Sequence, residues 1–203
     1  MDQAERVLAA AKADLRLRVR RRRAARPASL RARQAVQLSD VVLASRLLRD
    51  ARTVACYASL ATEPGTVPLR SALAEAGVRV LLPVLAGTPG PVPLDWAVDH
   101  GVLAPGPLGI LQPAGPRLGA AAVGGVDVLL VPALLVDTDG RRLGQGGGHY
   151  DATLAALDAD VPVVALVHDD ELVDAALAPV PTGPLDRPVT AVATPSRWVD
   201  VRH

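Results

Sequence analysis

Phenylalanine is absent from this 203-residue chain, and lysine, cysteine and methionine occur once each. A single cysteine, Cys56, excludes an internal disulfide and any metal site built from a cysteine cluster. It lies in the run Thr53-Val54-Ala55-Cys56-Tyr57, which reads as a strand, so a buried, inert thiol is expected there. Half of the residues are apolar, with 50% in the hydrophobic classes. Even so, no run approaches the roughly 18 apolar residues of a membrane span. Asp2, Glu5 and Arg6 occupy the place where the apolar segment of a secretory signal would stand. A cytoplasmic protein that binds no membrane is expected. The length suits one domain, residues 1–203, with a sizeable core.

Excess charge of either sign is also lacking overall, since the formal net charge is +1. Its distribution is uneven. Residues 1–33 hold eleven Lys or Arg against three acids, and the remaining residues hold eleven against eighteen. Arg16, Arg18, Arg20 to Arg23 and Arg26 crowd one stretch, which could mark a polyanion surface. No aromatic residue interleaves there to stack on bases. A solvated helix face fits better than nucleic-acid binding, and an anionic small molecule is the expected partner. Within this block Lys12 is the only lysine of the chain. A compact ammonium and a planar guanidinium are not equivalent at a phosphate, so Lys12 marks a place where a point charge is required. Arg20 and Arg22 are expected to be bystanders.

Apolar residues Val7, Leu8, Ala11, Leu15 and Val19 predict an amphipathic helix over 4–25, ended by Pro27. Lys12 and Arg16, four apart, project from one face of it. A second helix is predicted over 30–49. Beyond it, strands at 53–58, 78–83, 126–131, 162–167 and 189–193 alternate with helices at 67–76, 148–157 and 169–177. Residues 84–125 are rich in Pro and Gly and hold short strands that the pattern does not place. Such alternation predicts an α/β fold: a mostly parallel sheet flanked by helices in one three-layer domain.

The densest signal is Gly140-Arg141-Arg142-Leu143-Gly144-Gln145-Gly146-Gly147-Gly148-His149-Tyr150-Asp151, with five glycines in twelve residues. It lies between the apolar run Val126 to Val136 and a helix-forming stretch. A strand, a glycine loop and a helix start let backbone N–H groups converge on phosphate oxygens. Arg142 can add a bidentate phosphate contact, and Asp151 can hold a magnesium ion. A Walker loop is excluded because no Gly-Lys pair is present, and G-x-G-x-x-G fails at His149. A flexible linker would not need Arg142, Tyr150 and Asp151 around it.

The block from Val131 to Asp137, then Gly140 and Arg142-Leu143-Gly144-x-Gly146-x-Gly148-x-Tyr150-Asp151, resembles the 5-formyltetrahydrofolate cyclo-ligases, also called methenyltetrahydrofolate synthetases. The resemblance takes in Lys12-x-x-x-Arg16, Tyr57 to Glu63, Leu82-Pro83, Leu94-Asp95-Trp96, Gly109-Ile110-x-x-Pro113 and Val192 to Pro195. It implies a fold shared with sugar-phosphate isomerases and CoA-transferase-like proteins. It also implies ATP- and Mg2+-dependent cyclisation of 5-formyltetrahydrofolate to 5,10-methenyltetrahydrofolate. ATP would contact Lys12, Arg16 and the loop Arg142, Leu143, Gly144, Gln145, Gly146, Gly147, Gly148, His149 and Tyr150. Lys12, Arg142 and Tyr150 would serve catalysis, Ala58, Glu63 and Tyr150 would bind the folate, and Asp151 would bind magnesium. A monomer is expected, with a homodimer as the alternative.

Three positions depart from the family pattern. Thr190 stands where some members carry a second magnesium aspartate, His149 replaces the first of an aromatic pair, and Gly147 replaces a basic residue. Trp96 reads as a core or rim residue as readily as a ligand platform. His100, His168 and His203 have no partner at metal-ligand spacing. Competing readings are an isomerase, for which no acid–base pair stands out, and a relative that binds nucleotide or folate without cyclising it.

Overall fold

The computed structural model describes residues 2–85, 87, 91–183 and 186–201, so His203 lies outside the described residues. In chain order the helices are α1 (Gln3–Ala25), α2 (Ala28–Leu43), α3 (Arg46–Arg49), α4 (Val67–Glu75) and α5 (His149–Ala155). The strands are β1 (Thr53–Ala55), β2 (Arg79–Val84), β3 (Asp95–Val98), β4 (Leu103–Pro105), β5 (Leu111–Pro113), β6 (Val128–Pro132), β7 (Leu135–Asp137), β8 (Arg142–Leu143), β9 (Val163–Leu166), β10 (Leu172–Val173), β11 (Ala191–Ala193) and β12 (Trp198–Asp200).

The main sheet has seven strands in the order β12-β11-β9-β6-β1-β2-β3. Its five inner strands run parallel, and β3 and β12 close the two edges antiparallel. Side chains alternate faces along each strand. Val54, Val80, Val128 and Val164 fall in one apolar cluster with Leu38 and Val42 of α2 and Leu69 and Leu73 of α4. Their neighbours Ala55, Leu81, Leu129 and Ala165 fall in another, with Trp96, Leu154 and Leu157. Near-continuous apolar strands follow from burial on both faces. This is the α/β layering that the alternation predicts. Cys56 is fully buried, and burial pushes its thiol up to about 12, as expected of an inert group.

Several boundaries differ, each for a local reason. The helix predicted over 30–49 breaks at Ser45, whose extended backbone (φ −70°, ψ 150°) separates α2 from α3. The helix predicted over 169–177 is only a 3-10 turn, Asp169–Glu171, followed by strand β10 paired with β7. The carboxylate of Glu171 is buried there, and Leu172 and Val173 extend to pair with Val136 and Asp137 in place of a further helical turn. Residues 84–125 hold β3, β4 and β5 with two 3-10 turns. On α1, Val19 is buried and Leu15 is partly so, but Val7 is exposed, so the apolar face is shorter than the spacing suggests. Among the described residues no helix is long and apolar enough to cross a membrane.

What seats α1 is a buried ion pair. Arg23 is 1% exposed and Glu171 is 0% exposed. Arg23 donates from Nε to Glu171 Oε1 at 2.8 Å and from Nη2 to Oε2 at 2.7 Å, with Nη2 also reaching Ala133 O at 2.6 Å. Burial works against the guanidinium charge, but Glu171 outweighs it and holds Arg23 above its ordinary value. His168 N–H donates to Glu171 Oε2 at 2.9 Å, so the carboxylate is held by α1 and by its own turn, while Arg23 ties in Ala133. Breaking such a pair from one side leaves a bare buried charge, which costs about 3–5 kcal/mol. Glu171→Leu should therefore lose stability on that scale in chemical denaturation. Arg23→Met combined with Glu171→Leu should recover much of it.

The His168 ring is 1% exposed, and neither nitrogen has a hydrogen-bond partner among the described residues. The Thr62 backbone approaches the ring without meeting hydrogen-bond geometry. Burial lowers the imidazole below its ordinary value; Glu171 opposes this, while Arg26 and Arg23 reinforce it. The unfolded chain takes up a proton near pH 6.5, whereas the folded protein resists until lower pH. Stability is then complete above that value and falls as pH drops through the window below it. Denaturation midpoints at pH 7.5 and 5.5 should fall further for the parent protein than for His168→Gln.

Candidate active site

The carboxyl ends of β1, β2 and β6 open into a cavity of about 320 Å3. That volume lies at the small end of the range for small-molecule sites, roughly 300–1,000 Å3. Leu60, Pro83, Leu85, Leu94, Ile110 and Pro132 form apolar walls, and Glu63 supplies a carboxylate. Tyr57, Ala58, Arg142 and the whole run Gly144 to Asp151 complete the lining.

Glu63 is held by a wired turn after β1. Thr66 Oγ1 donates to Tyr57 O at 2.7 Å, Tyr57 Oη donates to Pro64 O at 3.2 Å, and Leu60 N–H donates to Glu63 Oε2 at 2.9 Å. Glu63 is 6% exposed, and its Oε1 accepts from Gln145 Nε2 at 3.1 Å. Burial, reinforced by the charge of Glu63, pushes the Tyr57 phenol well above its ordinary value. Tyr150 is pushed the same way by burial first, and its Oη has no partner among the described residues. Both phenols are neutral donors at physiological pH.

The glycine loop is gripped from outside the cavity by α1. Arg16 Nε donates to Gly144 O at 2.9 Å, and Arg20 Nη2 donates to Gln145 O at 2.8 Å. Lys12 pairs with Asp186, whose Oδ2 also accepts from Gly183 N–H. Burial and repulsion from Arg20 lower the Arg16 guanidinium, and Asp151 and Asp186 oppose them. Gly146 (φ +102°) and Gly148 (φ +73°) adopt backbone that other residues rarely take. A side chain on Gly146 would meet Arg16 Cζ at 3.3 Å. The helix predicted over 148–157 is the shorter α5, so side chains rather than a long helix dipole supply the positive charge here.

Arg142, its side chain 4% exposed, ion-pairs with Asp151 Oδ1, whose side chain is 36% exposed. Asp151 Oδ2 has no hydrogen bond among the described residues. Magnesium prefers carboxylate, phosphate and water oxygens. Among the described residues no group of three or more His, Cys, Asp or Glu could hold a metal alone. The donor set fits an ion held through Asp151 and completed by ligand oxygens. Thr190 adds nothing, because its hydroxyl accepts from Val163 N and donates to Val163 O, both at 3.0 Å.

Of the residues singled out in the sequence, Ala58, Glu63, Arg142, Gly144 to Gly148, His149, Tyr150 and Asp151 meet in the cavity. Lys12 and Arg16 are absent from the lining: Arg16 holds the loop carbonyl of Gly144, and Lys12 is paired with Asp186. Leu143 is 1% exposed and packs with Val19 and Leu134, so its side chain is structural and cannot face a ligand. Trp96 is fully buried in the core. Arg20 is no bystander, since it holds both the backbone and the side chain of Gln145. Asp186 and the Gln145–Glu63 contact escaped the sequence reading; no local spacing encodes either. The apolar walls were largely visible, as Leu60, Pro83, Leu94, Ile110 and Pro132 fall in segments that carry the resemblance and Leu85 does not.

These features define an α/β enzyme with its site at the carboxyl ends of parallel strands, where such folds place ligands. The chain belongs to the 5-formyltetrahydrofolate cyclo-ligase family, whose model matches residues 8–195, and it is a ligase. A 5-formyltetrahydrofolate cyclo-ligase of Mycolicibacterium smegmatis is 42% identical over 158 residues, 76% of this chain and 79% of the relative. One of Escherichia coli is 35% identical over 149 residues, 72% and 80% of the two chains. The solved structure of the Aquifex aeolicus 5,10-methenyltetrahydrofolate synthetase shares the fold, with a TM-score of 0.78 and 22% identity over 95% of this chain and 93% of that one.

Gly148 makes the loop testable without substrate. A Cβ there would lie 2.6 Å from Pro91 Cβ, in addition to the strain of its φ. Left-handed backbone at a non-glycine residue costs of order 1–3 kcal/mol. Gly148→Ala should lower the denaturation midpoint accordingly, whereas Gly124→Ala, in open space with no positive φ, should not.

Proposed function

We propose that the protein converts 5-formyltetrahydrofolate to 5,10-methenyltetrahydrofolate, using ATP and magnesium and releasing ADP and phosphate. One observation carries this reading: Glu63 and Tyr150 line the same cavity as the glycine loop that Arg16 and Arg142 flank. A ring presented to Glu63 therefore sits against a loop suited to phosphate. The family membership and the named relatives support the same assignment.

The chemistry explains the need for a phosphoryl donor. The oxygen of an N-formyl group is a poor leaving group when the folate N10 attacks the formyl carbon. Transfer of the γ-phosphoryl group from ATP to that oxygen releases ADP and lets the oxygen depart as phosphate, while the new C–N bond closes the ring and N10 gives up its proton to solvent. The protein's part is to hold reactants in line and to offset charge. Glu63 accepts N–H donors from the pterin edge, and the apolar walls exclude water. Lys12, Arg16 and Arg142 compensate phosphate charge, with Lys12 leaving Asp186 and Arg142 turning from Asp151 toward the ligand. Asp151 would hold magnesium, which when bound neutralises phosphate oxygens.

Purified protein given 5-formyltetrahydrofolate and Mg-ATP should yield the methenyl chromophore with one ADP per turnover. Ligand binding without that product would instead favour a non-cyclising relative. Asp151→Asn should keep the fold, since its side-chain oxygen can still accept from Arg142. Its turnover should drop on the order of 10²-fold, as when one preorganised electrostatic contact is lost. Lys12→Ala should raise the KM for ATP and lower kcat, and Lys12→Arg should restore only part. Arg18, exposed and paired with Asp14, is the proper control for general basicity. Equal damage from Arg18→Ala and Lys12→Ala would refute a local role for Lys12.

A further inference from the structure

Gln145 is an exposed loop residue whose side chain is nevertheless held at both ends. Arg20 donates to its Oε1 from Nε at 3.2 Å and from Nη2 at 3.1 Å. Gln145 Nε2 in turn donates to Glu63 Oε1 at 3.1 Å. An arginine can only donate, so it selects the oxygen end of the amide and leaves the nitrogen facing Glu63. The second carboxylate oxygen of Glu63 is fixed by Leu60 N–H. Each oxygen retains lone-pair capacity toward the cavity. The same Arg20 holds Gln145 O, one residue beyond the Gly144 carbonyl that Arg16 holds. A hydrogen-bonded path thus runs from α1 through the glycine loop to the carboxylate on the cavity wall.

We propose that Gln145, oriented by Arg20, is a positioning residue that couples phosphate binding at the loop to folate binding at Glu63. This rests on the assignment of nucleotide and folate to the site given above. A phosphate seated on the loop recruits Arg16 and backbone N–H groups and fixes the backbone of Gln145. The amide and Glu63 are then already ordered when the pterin arrives. Ordering that is completed for the first ligand need not be repeated for the second, which makes their binding cooperative. Linkage requires the effect to be reciprocal: the nucleotide tightens folate by the same factor as folate tightens the nucleotide.

Calorimetric titration of 5-formyltetrahydrofolate, with and without saturating magnesium and the non-hydrolysable analogue AMP-PNP, measures this factor. The reverse titration checks it. The parent protein should show mutual tightening of about fivefold or more, within the usual span of coupling between sites. Gln145→Met and Arg20→Met each keep side-chain bulk but remove the hydrogen bonds, and should bring the factor to within about twofold of unity. Arg20→Lys should restore part of it. A merely structural role would alter melting or both affinities together while leaving the coupling factor in place. Coupling that survives in Gln145→Met would overturn the relay. Binding of both ligands to the parent protein with no mutual effect would overturn the coupling and leave the functional assignment intact. Failure of either ligand to bind, with no turnover, would overturn both.

Discussion

The Arg23–Glu171 pair is the contact on which the site geometry depends. α1 carries little apolar surface of its own, with Val19 as its one fully buried apolar residue among those described. A helix so polar is held by tertiary contacts rather than by intrinsic preference. The buried bidentate pair supplies the anchor and fixes both the depth and the rotation of α1. Lys12, Arg16 and Arg20 follow at four-residue spacing and so share one face, which the anchor turns toward Asp186 and the loop. Were α1 to rotate by one residue, about 100°, all three would lose their partners together.

The anchor also accounts for the basic block. Of the arginines crowded between residues 16 and 26, Arg23 and Arg26 meet Glu171 and Asp170, and Arg22 lies 3.7 Å from Asp170. Arg18 meets Asp14, and Arg16 and Arg20 hold the loop. Much of the apparent polyanion surface is therefore internal wiring between the N-terminal helix and a turn distant in sequence. The excess of acids in the rest of the chain is the complement of this arrangement, with Asp170 and Glu171 as its clearest members.

The parallel sheet was legible because strands buried on both faces leave compact apolar runs separated by turn residues. The loop was legible because left-handed backbone at Gly146 and Gly148 demands glycine. Partners were not. Lys12 and Asp186 are 174 positions apart, and nothing in the spacing of either names the other. The Asp169–Glu171 turn was misread for a related reason: acids beside Leu172 look helical until the buried arginine that claims Glu171 is known. The hairpin of β7 and β8 was hidden because its strands are only three and two residues long.

The sole lysine has a practical consequence. Lys12 gives the chain a single side-chain amine, and its ion pair with Asp186 leaves that side chain only 16% exposed. An acylating reagent must reach that nitrogen, so labelling at this one atom reports how often the ion pair opens. The chain thus carries a built-in chemical reporter where α1 meets Asp186, readable as a single mass increment on one peptide.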